Sequence, residues 1–485
     1  MPLSLYDTLT RSQREIRPED GEVLRFYCCG PTVYGPAHIG NLRTFLLQDV
    51  FRRTVEMTGM RVKHVRNLTD VDDKTIRESR AQGEPLGEFT RKWTERFHDD
   101  ANALNLLPPQ AEPAATDHIE SQIDLISRLI ESGHAYATES GSVYFRVSSF
   151  DDYGKLSRLK EREITTDRAP AAGGPIDADE YERDSGADFA LWKARKEEDG
   201  EVFWESPWGE GRPGWHLECS AMSMGYLGET FDVHGGGVDL VFPHHDNEIA
   251  QSEACTGKPF VRHWFHCAHL MVDGKKMSKS LGNLYTLEDL RGKGFSPMAL
   301  RYELISAHYR QQLNFTLDSL HAAESALKKL RRKADLLMEA AGLSREDLHD
   351  RAFLLENRPD TLGIFQGAWE RLLDDLNTPA ALGELFRAMA KAGDTADAEN
   401  GGAEEKRNRA VVFAFLLYAL GLDLHAEPES KPSEVPAEIR RLADERWEAK
   451  KSRDFAQADA LRQELTEAGW KVLDRKDGYD LEPAG

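Results

Sequence analysis

Cysteine is scarce in this chain, with five residues in 485. So few thiols cannot form a disulfide framework and read instead as metal ligands or free thiols. None stands in a C-x-x-C pair, so a local zinc ribbon is excluded. No apolar run reaches the roughly 18 residues a membrane-spanning helix needs. The opening residues, Met1-Pro2-Leu3-Ser4-Leu5-Tyr6-Asp7, lack a basic segment followed by an apolar one. A secretion signal is therefore not expected, and a cytoplasmic protein is. Basic charge is also in deficit: 62 Lys and Arg against 84 Asp and Glu leave a net charge of −22. That excludes a generally phosphate-binding surface, although local basic stripes remain open. Lys328-Lys329-Leu330-Arg331-Arg332-Lys333 is one such cluster, and Arg440, Arg441, Lys450, Lys451 and Arg453 form another. Each reads either as an RNA-binding stripe or as a solvated helix face. There is no internal repeat.

What is present is ordinary for a globular protein: 40% hydrophobic and 30% charged residues. The length allows roughly three or four domains. Val23–Tyr27 reads as a strand ending in a turn at Gly30-Pro31, Leu42–Met57 as a helix, and Arg61–Leu68 as a second strand. That order predicts a βαβ unit, a parallel sheet and a ligand at the strand C-termini. Residues 169–175, rich in Gly and Pro, read as an exposed loop within an insertion. The stretch 206–250, dense in Gly, Trp and His, reads as site loops. Beyond about residue 315 the helix formers Leu, Ala, Glu, Arg and Lys dominate and predict a helix bundle. Within it, 394–405 reads as a polar loop and 427–434 as a linker. Two helices at 436–450 and 454–468 and a β-like tail through Val472 and Tyr479 follow.

Chemistry-bearing residues cluster in the first two thirds. Cys28-Cys29-Gly30 ends the first strand, Cys219 lies in Gly214-Trp215-His216-Leu217-Glu218-Cys219, and His234 opens a run of three glycines. In Pro243-His244-His245-Asp246-Asn247-Glu248, His244 and Glu248 are four apart and share a face if a helix starts after Pro243. One thiol from each cysteine segment plus this His/Glu pair would complete the four ligands zinc takes. Upstream stands Pro36-Ala37-His38-Ile39-Gly40-Asn41, and downstream Lys276-Met277-Ser278-Lys279-Ser280 follows a turn at Asp273-Gly274. A His at a helix start and a mobile basic loop can hold a triphosphate from both ends.

Taken together, these motifs resemble the cysteinyl-tRNA synthetases, a family of class I aminoacyl-tRNA synthetases. The resemblance spans nearly the whole chain and includes Cys29–Tyr34, His38–Asn41, Asn67–Lys74, Gly211–His216, His234–Gly237, Phe242–His245 and Lys276–Ser280. It implies an α/β fold: a Rossmann-like parallel-sheet catalytic domain with an insertion, then an α-helical bundle and a small C-terminal domain. The expected bounds are 1–315, with an insertion at roughly 125–205 and a stem-contact segment after about 265, then 316–426 and 435–485. It implies zinc on Cys29, Cys219, His244 and Glu248, with the register against Gly30 favouring Cys29 over Cys28 and the Glu248 spacing favouring His244 over His245. It implies ATP contacts at Pro31, Thr32, Tyr34, His38, Gly40, Asn41 and Lys279. Catalytic roles fall to His38, Lys276 and Lys279, with Mg²⁺ accompanying the nucleotide. Thr32, Trp215, His216 and His234 are expected around the substrate cysteine.

The implied reaction joins L-cysteine to ATP as an adenylate and then to the 3′ end of tRNA(Cys). Serine differs from cysteine by one atom, a difference that pocket shape alone separates by only about 10²-fold. Zinc prefers thiolate to hydroxyl, so direct metal–sulfur bonding would supply the discrimination. Zn²⁺ with two thiolates and a carboxylate sums to −1, and a substrate thiolate takes it to −2, so hydrogen-bond donors are expected around the cage. Where the family's first signature ends in a second His, this chain has Asn41, which cannot carry charge at neutral pH. His38 must then supply any imidazole chemistry. His308-Tyr309-Arg310 matches the stem-contact part of the family. Two rival readings are a cysteine ligase acting on an amino-sugar acceptor and a non-catalytic tRNA-binding relative. The folded-looking tail at 427–485 favours the tRNA enzyme, and intact signatures favour catalysis. A monomer with no membrane partner is expected.

Overall fold

The computed structural model describes residues 1–160, 187–277, 281–344, 350–357, 361–391, 402–424, 436–452, 454–474 and 478–483. The glycine- and proline-rich stretch at 169–175 and the linker at 427–434 lie outside them. An antiparallel hairpin of β1 (Ser4–Asp7) and β2 (Ser12–Glu15) precedes the predicted βαβ unit. That unit folds as β3 (Val23–Cys28), α1 (Ile39–Met57) and β4 (Arg61–Arg66). The central sheet has the order β10-β9-β3-β4, all parallel, with β9 at Phe231–Gly237 and β10 at Val261–Cys267. Its interior is filled by Phe26, Tyr27, Val65, Phe231, Val233, Trp264 and Phe265, all buried, with the polar residues His64, Asp232, His234, His263 and His266 buried among them.

Between β4 and β9 the chain forms α2 (Asp73–Gln82), α3 (Leu86–Ala103) and α4 (Ile119–Glu131). An antiparallel sheet follows in the order β5-β6-β7-β8, from Ala135–Ala137 through Val143–Phe145 and Phe189–Ala194 to Gly211–Pro213. Two helices, α5 (Trp215–Leu227) and α6 (Asp246–Thr256), flank β9 in sequence. After β10 come the short strands β11 (Leu270–Val272), β12 (Lys275–Lys276) and β13 (Leu313–Phe315). Helices Pro297–Leu304, Leu317–Ala341, Gln366–Leu373, Thr378–Lys391 and Ala403–Leu420 follow. No helix of the described residues is long and apolar enough to cross a membrane.

The stretch 206–250 departs from its sequence reading as site loops. It folds largely as α5, β9 and α6, and all seven residues of β9 are buried, including its three glycines. The reason is close approach. A Cβ on Gly235 would stand 2.6 Å from the Phe265 ring, and one on Gly236 would stand 2.8 Å from the His245 ring. These glycines make room for neighbours rather than flexibility.

Helix α1 carries buried charge that ties it to the later helices. Asp49 holds Arg53 at 2.8 Å and Arg301 at 2.5 Å. Arg301 also donates to the Leu420 and Leu104 carbonyls, at 3.0 and 2.7 Å. Buried guanidinium groups survive only when charge and donors are both met, as they are here.

By compactness the chain forms two units, one comprising 1–287 and 297–425 and the other 288–296 and 426–485. In the second unit, helices Ala437–Lys451 and Phe455–Glu467 pack with an antiparallel hairpin, Trp470–Asp474 and Tyr479–Pro483. Ile439, Ala443, Leu465, Trp470 and Val472 form its core. Arg441 is paired with Glu438 and Glu445, and Lys451 with Glu448, so that cluster is an interleaved helix face. Arg453 lies outside the described residues.

Candidate active site

The sheet's C-terminal edge gathers four buried metal-ligating side chains. Cys29 follows β3, Cys219 rides on α5, and His244 and Glu248 flank the start of α6. Their donor atoms all lie within 4.8 Å of one another. The Cys29 and Cys219 sulfurs are 3.9 Å apart, Cys29 Sγ is 3.7 Å from Glu248 Oε1, and His244 Nε2 is 2.9 Å from that same oxygen. A tetrahedral zinc with bonds of about 2.3 Å to sulfur would hold two sulfurs about 3.8 Å apart. Donor number, donor type and sulfur spacing therefore fit such an ion. Cys28 faces elsewhere, with its sulfur 2.9 Å from His64 Nε2, because neighbouring residues of a strand point to opposite faces.

A second set, Cys29, His234, His245 and Glu248, also lies within 4.8 Å. The two sets share Glu248, whose carboxylate is divided. Oε1 faces His244, while Oε2 is 2.8 Å from His234 Nε2. His245 Nε2 stands 3.5 Å from Cys29 Sγ, and its Nδ1 is 2.8 Å from His266 Nε2. His266 Nδ1 in turn is 2.7 Å from Thr8 Oγ1. His234 and His245 thus supply hydrogen-bond capacity on the side of the cage away from His244.

Electrostatics favour charged donors in the first set. Burial works against the Glu248 carboxylate, but His234 and His244 outweigh it and hold its pKa at about 2. Burial likewise opposes the His244 imidazolium, yet Glu248 and Cys219 raise its pKa to about 10. The two sulfurs behave as a pair. Burial and the neighbouring Cys219 push the Cys29 thiol well up, while hydrogen bonds from Cys29 and His244 overcome burial and bring Cys219 to about 6. In protein terms, His244 and one thiol hold the protons that a metal ion would displace.

The residues expected around the amino acid distribute as follows. His216 Nδ1 is 2.8 Å from His244 Nδ1, which orients that ring, and the Trp215 ring lies 4.4 Å from it, 40% exposed. His234 binds Glu248 as described. Thr32 pairs with Thr69 across two strand ends, and the Val33 N–H donates to the Thr69 carbonyl at 3.1 Å. Pro31 and Tyr34 lie on the same segment, with the Lys74 ammonium 5.5 Å from the Tyr34 ring.

Both signatures meet at the start of α1. His38 is its N-cap: His38 Nδ1 accepts from the Asn41 N–H at 3.2 Å, and Asn41 Oδ1 accepts from the His38 N–H at 3.3 Å. Asn41 thus spends its oxygen on a capping box and keeps its NH₂ to donate. Burial lowers the His38 pKa, so the ring is neutral at pH 7, with its proton on Nε2. The Ile39 N–H donates to the Tyr285 carbonyl at 2.9 Å, and Gly40 faces the Met277 methyl group. Lys276 is exposed at the end of β12, and Lys279 lies outside the described residues. His308 and Arg310 both reach Asp375, at 3.5 and 2.6 Å.

One network was not assigned from sequence. Glu218, Thr69 and Asn67 are buried together beside Cys219, and Thr69 donates to Glu218 through a short hydrogen bond. The sequence signal for it is the segment Asn67–Lys74, which carries part of the family resemblance but no assigned role.

A four-stranded parallel sheet with a buried cluster of Cys, His and Glu side chains at its C-terminal edge is consistent with the architecture of the class I tRNA synthetases. Solved structures share the fold. Mycobacterium tuberculosis methionyl-tRNA synthetase with methionyl-adenylate superposes with a TM-score of 0.56, covering 82% of this chain and 90% of that one at 16% identity. The Agrobacterium radiobacter leucyl synthetase in a ternary complex with tRNA also gives 0.56, over 86% of each chain at 11% identity. Residues 15–325 match the family model for the class I (C) tRNA synthetase catalytic domain. Among curated relatives, cysteine–tRNA ligase of Opitutus terrae is 57% identical over the full length of both chains. That of Solibacter usitatus is 45% identical over 99% of each, and that of Brachyspira hyodysenteriae 41% over 98% of each. The chain belongs to the cysteine–tRNA ligase family of class I tRNA synthetases.

Proposed function

We propose that Cys29, Cys219, His244 and Glu248 hold a zinc ion that selects the amino acid, and that the start of α1 and the Lys276–Ser280 segment hold ATP. The protein activates L-cysteine with ATP and transfers it to the 3′ end of tRNA(Cys). The observation that carries this reading is the buried S₂NO donor set at the sheet edge, in a chain 57% identical to a cysteine–tRNA ligase. When bound, zinc supplies a soft Lewis acid that takes sulfur in preference to a hydroxyl oxygen.

The residues divide the remaining work. Trp215 and His216 wall the pocket beside His244, and His216 fixes that ring's orientation. In the first step the cysteine carboxylate attacks the α-phosphorus, an O–P bond forms, and pyrophosphate leaves. His38 Nε2–H, the Asn41 NH₂ and the Gly40 N–H, the first-turn amide of α1 with no acceptor of its own among the described residues, donate to phosphate oxygens, where the helix dipole also favours anions. Lys276 and Lys279 neutralise the β- and γ-phosphates, with Mg²⁺ accompanying the nucleotide. Pro31, Thr32, Tyr34 and Gly40 line the nucleotide path. In the second step a ribose hydroxyl attacks the activated carbonyl and AMP leaves. The helices after residue 316 and the C-terminal helices and hairpin of the second unit are read as the tRNA-binding part.

Cysteine-dependent ATP–pyrophosphate exchange, followed by charging of transcribed tRNA(Cys), tests the reading. Exchange should require cysteine and ignore serine, and Lys279→Ala should cost about 10²–10³ in rate. Exchange without cysteine dependence would overturn it.

A further inference from the structure

Glu218 sits in the first turn of α5, one residue before Cys219, and is 2% exposed. Its Oε1 accepts from Thr69 Oγ1 and from Asn67 Nδ2, the latter at 3.4 Å. Its Oε2 accepts no hydrogen bond, and among the described residues no Lys, Arg or His pairs with it. The ionisable groups that act on it, Cys219, Asp70 and Asp72, are all acidic. Removing a carboxylate from water without a countercharge is costly, by several kcal/mol after relaxation. Of the neighbouring buried acids, Glu248 is paired with imidazoles, whereas Asp70 is held by neutral donors alone. Glu248 has His234 and His244, and Asp70 accepts from the Thr116 N–H and hydroxyl at 3.0 and 2.5 Å.

The orientation of this carboxylate is set from the cage side. Asn67 Oδ1 accepts from the Gly30 N–H at 2.8 Å, so Asn67 Nδ2 must point to Thr69 Oγ1, at 3.1 Å, and to Glu218. Gly30 follows Cys29, and a Cβ there would stand 1.7 Å from the Asn67 carbonyl oxygen, so the two strand ends are locked together. The carboxylate is therefore one amide side chain from the backbone beside one thiol and one residue from the other. An amino acid seated by its sulfur at the cage brings an ammonium only two carbons from that sulfur. It is the cation this arrangement lacks.

We propose that Glu218, held by Thr69 and Asn67, receives the α-ammonium of the substrate cysteine. The inference rests on the cysteine-activating reading. It assigns Glu218 to the amine end of the amino acid while the metal ligands take the thiol end.

The test compares L-cysteine with 3-mercaptopropionate, which keeps thiol and carboxylate but has no amine. Binding of each to the cobalt-substituted full-length protein is read from the thiolate-to-cobalt absorption band. Wild type should prefer cysteine. Glu218→Gln should lower the cysteine/3-mercaptopropionate affinity ratio by about ten- to a hundredfold, while 3-mercaptopropionate binding stays nearly constant. An unchanged ratio, or equal weakening of both ligands, overturns the proposal. If Glu218→Gln fails to hold cobalt, Thr69→Val, which frees Oε1 but keeps the carboxylate, carries the same comparison, and an unchanged ratio there overturns it. Wild-type exchange that does not depend on cysteine would refute the underlying reading. Cysteine-dependent exchange with an unchanged ratio refutes only the role of Glu218.

Discussion

The Met277 methyl carbon stands 2.6 Å from the point a Cβ on Gly40 would occupy, so the two signatures are in van der Waals contact. The same Cβ would sit 3.1 Å from His38 Nδ1. Gly40 is thus the seat on which the basic segment rests. A methionine tip can swing aside at little cost, so Gly40→Ala should leave thermal stability nearly unchanged. The displaced Met277 should instead shift the lysines on either side of it, Lys276 and Lys279. The expected outcome is a KM for ATP raised about tenfold in pyrophosphate exchange, with the unfolding midpoint moved by less than about 2 °C. Adding Met277→Ala should restore part of the loss. A large drop in stability with unchanged KM would contradict this account.

His38 gives a pH prediction whose sign follows from its environment. Burial lowers its pKa below 6.5, and its Nδ1 accepts the Asn41 N–H. A histidine with a depressed folded pKa contributes stability that is fully present above the unfolded value, and that contribution disappears as pH falls through the folded value. The capping hydrogen bond should therefore persist from pH 8 through 6.5 and fail only as pH falls through the lower folded value. Exchange rates should stay flat over the upper range and fall only on the acid side. NMR titration of His38 is the direct check, and a midpoint above 6.5 would refute the neutral-donor role.

Much of this was legible in the chain. The short apolar run of Val23–Tyr27 and the helical spacing of Leu42–Met57 correspond to β3 and α1, because local burial follows the local backbone. Alternation along β3 also explains why Cys29 rather than Cys28 meets Cys219. The glycine run of β9 resembles a loop in sequence and forms a buried strand because the cause lies in its packing. Phe265 crowds it from β10, far along the chain, and His245 from the turn before α6, and neither contact shows in the local pattern. Glu218 escaped for a related reason. Its type and spacing are unremarkable, and only the folded surroundings reveal that no cation accompanies it.

The buried ion cluster on α1 should dominate stability. Asp49 neutralises Arg53 and Arg301, and each guanidinium is nearly inaccessible to solvent. Asp49→Ala would strand both charges, a loss expected to cost about 3–5 kcal/mol in urea unfolding. Gly421 is the complementary test. Its φ is +63°, and a Cβ would stand 1.7 Å from Arg301 Nη2. Gly421→Ala should therefore destabilise through the same guanidinium, and combining it with Asp49→Ala should cost less than the sum of the two. Strict additivity would indicate that the cluster does not act as a unit.

The cage makes the most demanding prediction, because a metal that merely holds the fold and one that selects substrate can be told apart. Cys219 Sγ is 3.9 Å from Cys29 Sγ, and His244 helps hold Cys219 as a thiolate. Cys219→Ser replaces a soft donor with a hydroxyl, and bound zinc should fall well below one per chain by elemental analysis. The start of α1 and the Lys276 strand share no donor with the cage, so ATP binding should survive. The expected result is a KM for cysteine raised by about 10²-fold or more, with the KM for ATP within about threefold of wild type. Chelation of the wild-type protein should reproduce that split, and added zinc should reverse it. If both constants rise together and the unfolding midpoint falls with them, the metal supports structure alone, and selection of cysteine over serine must come from elsewhere in the pocket.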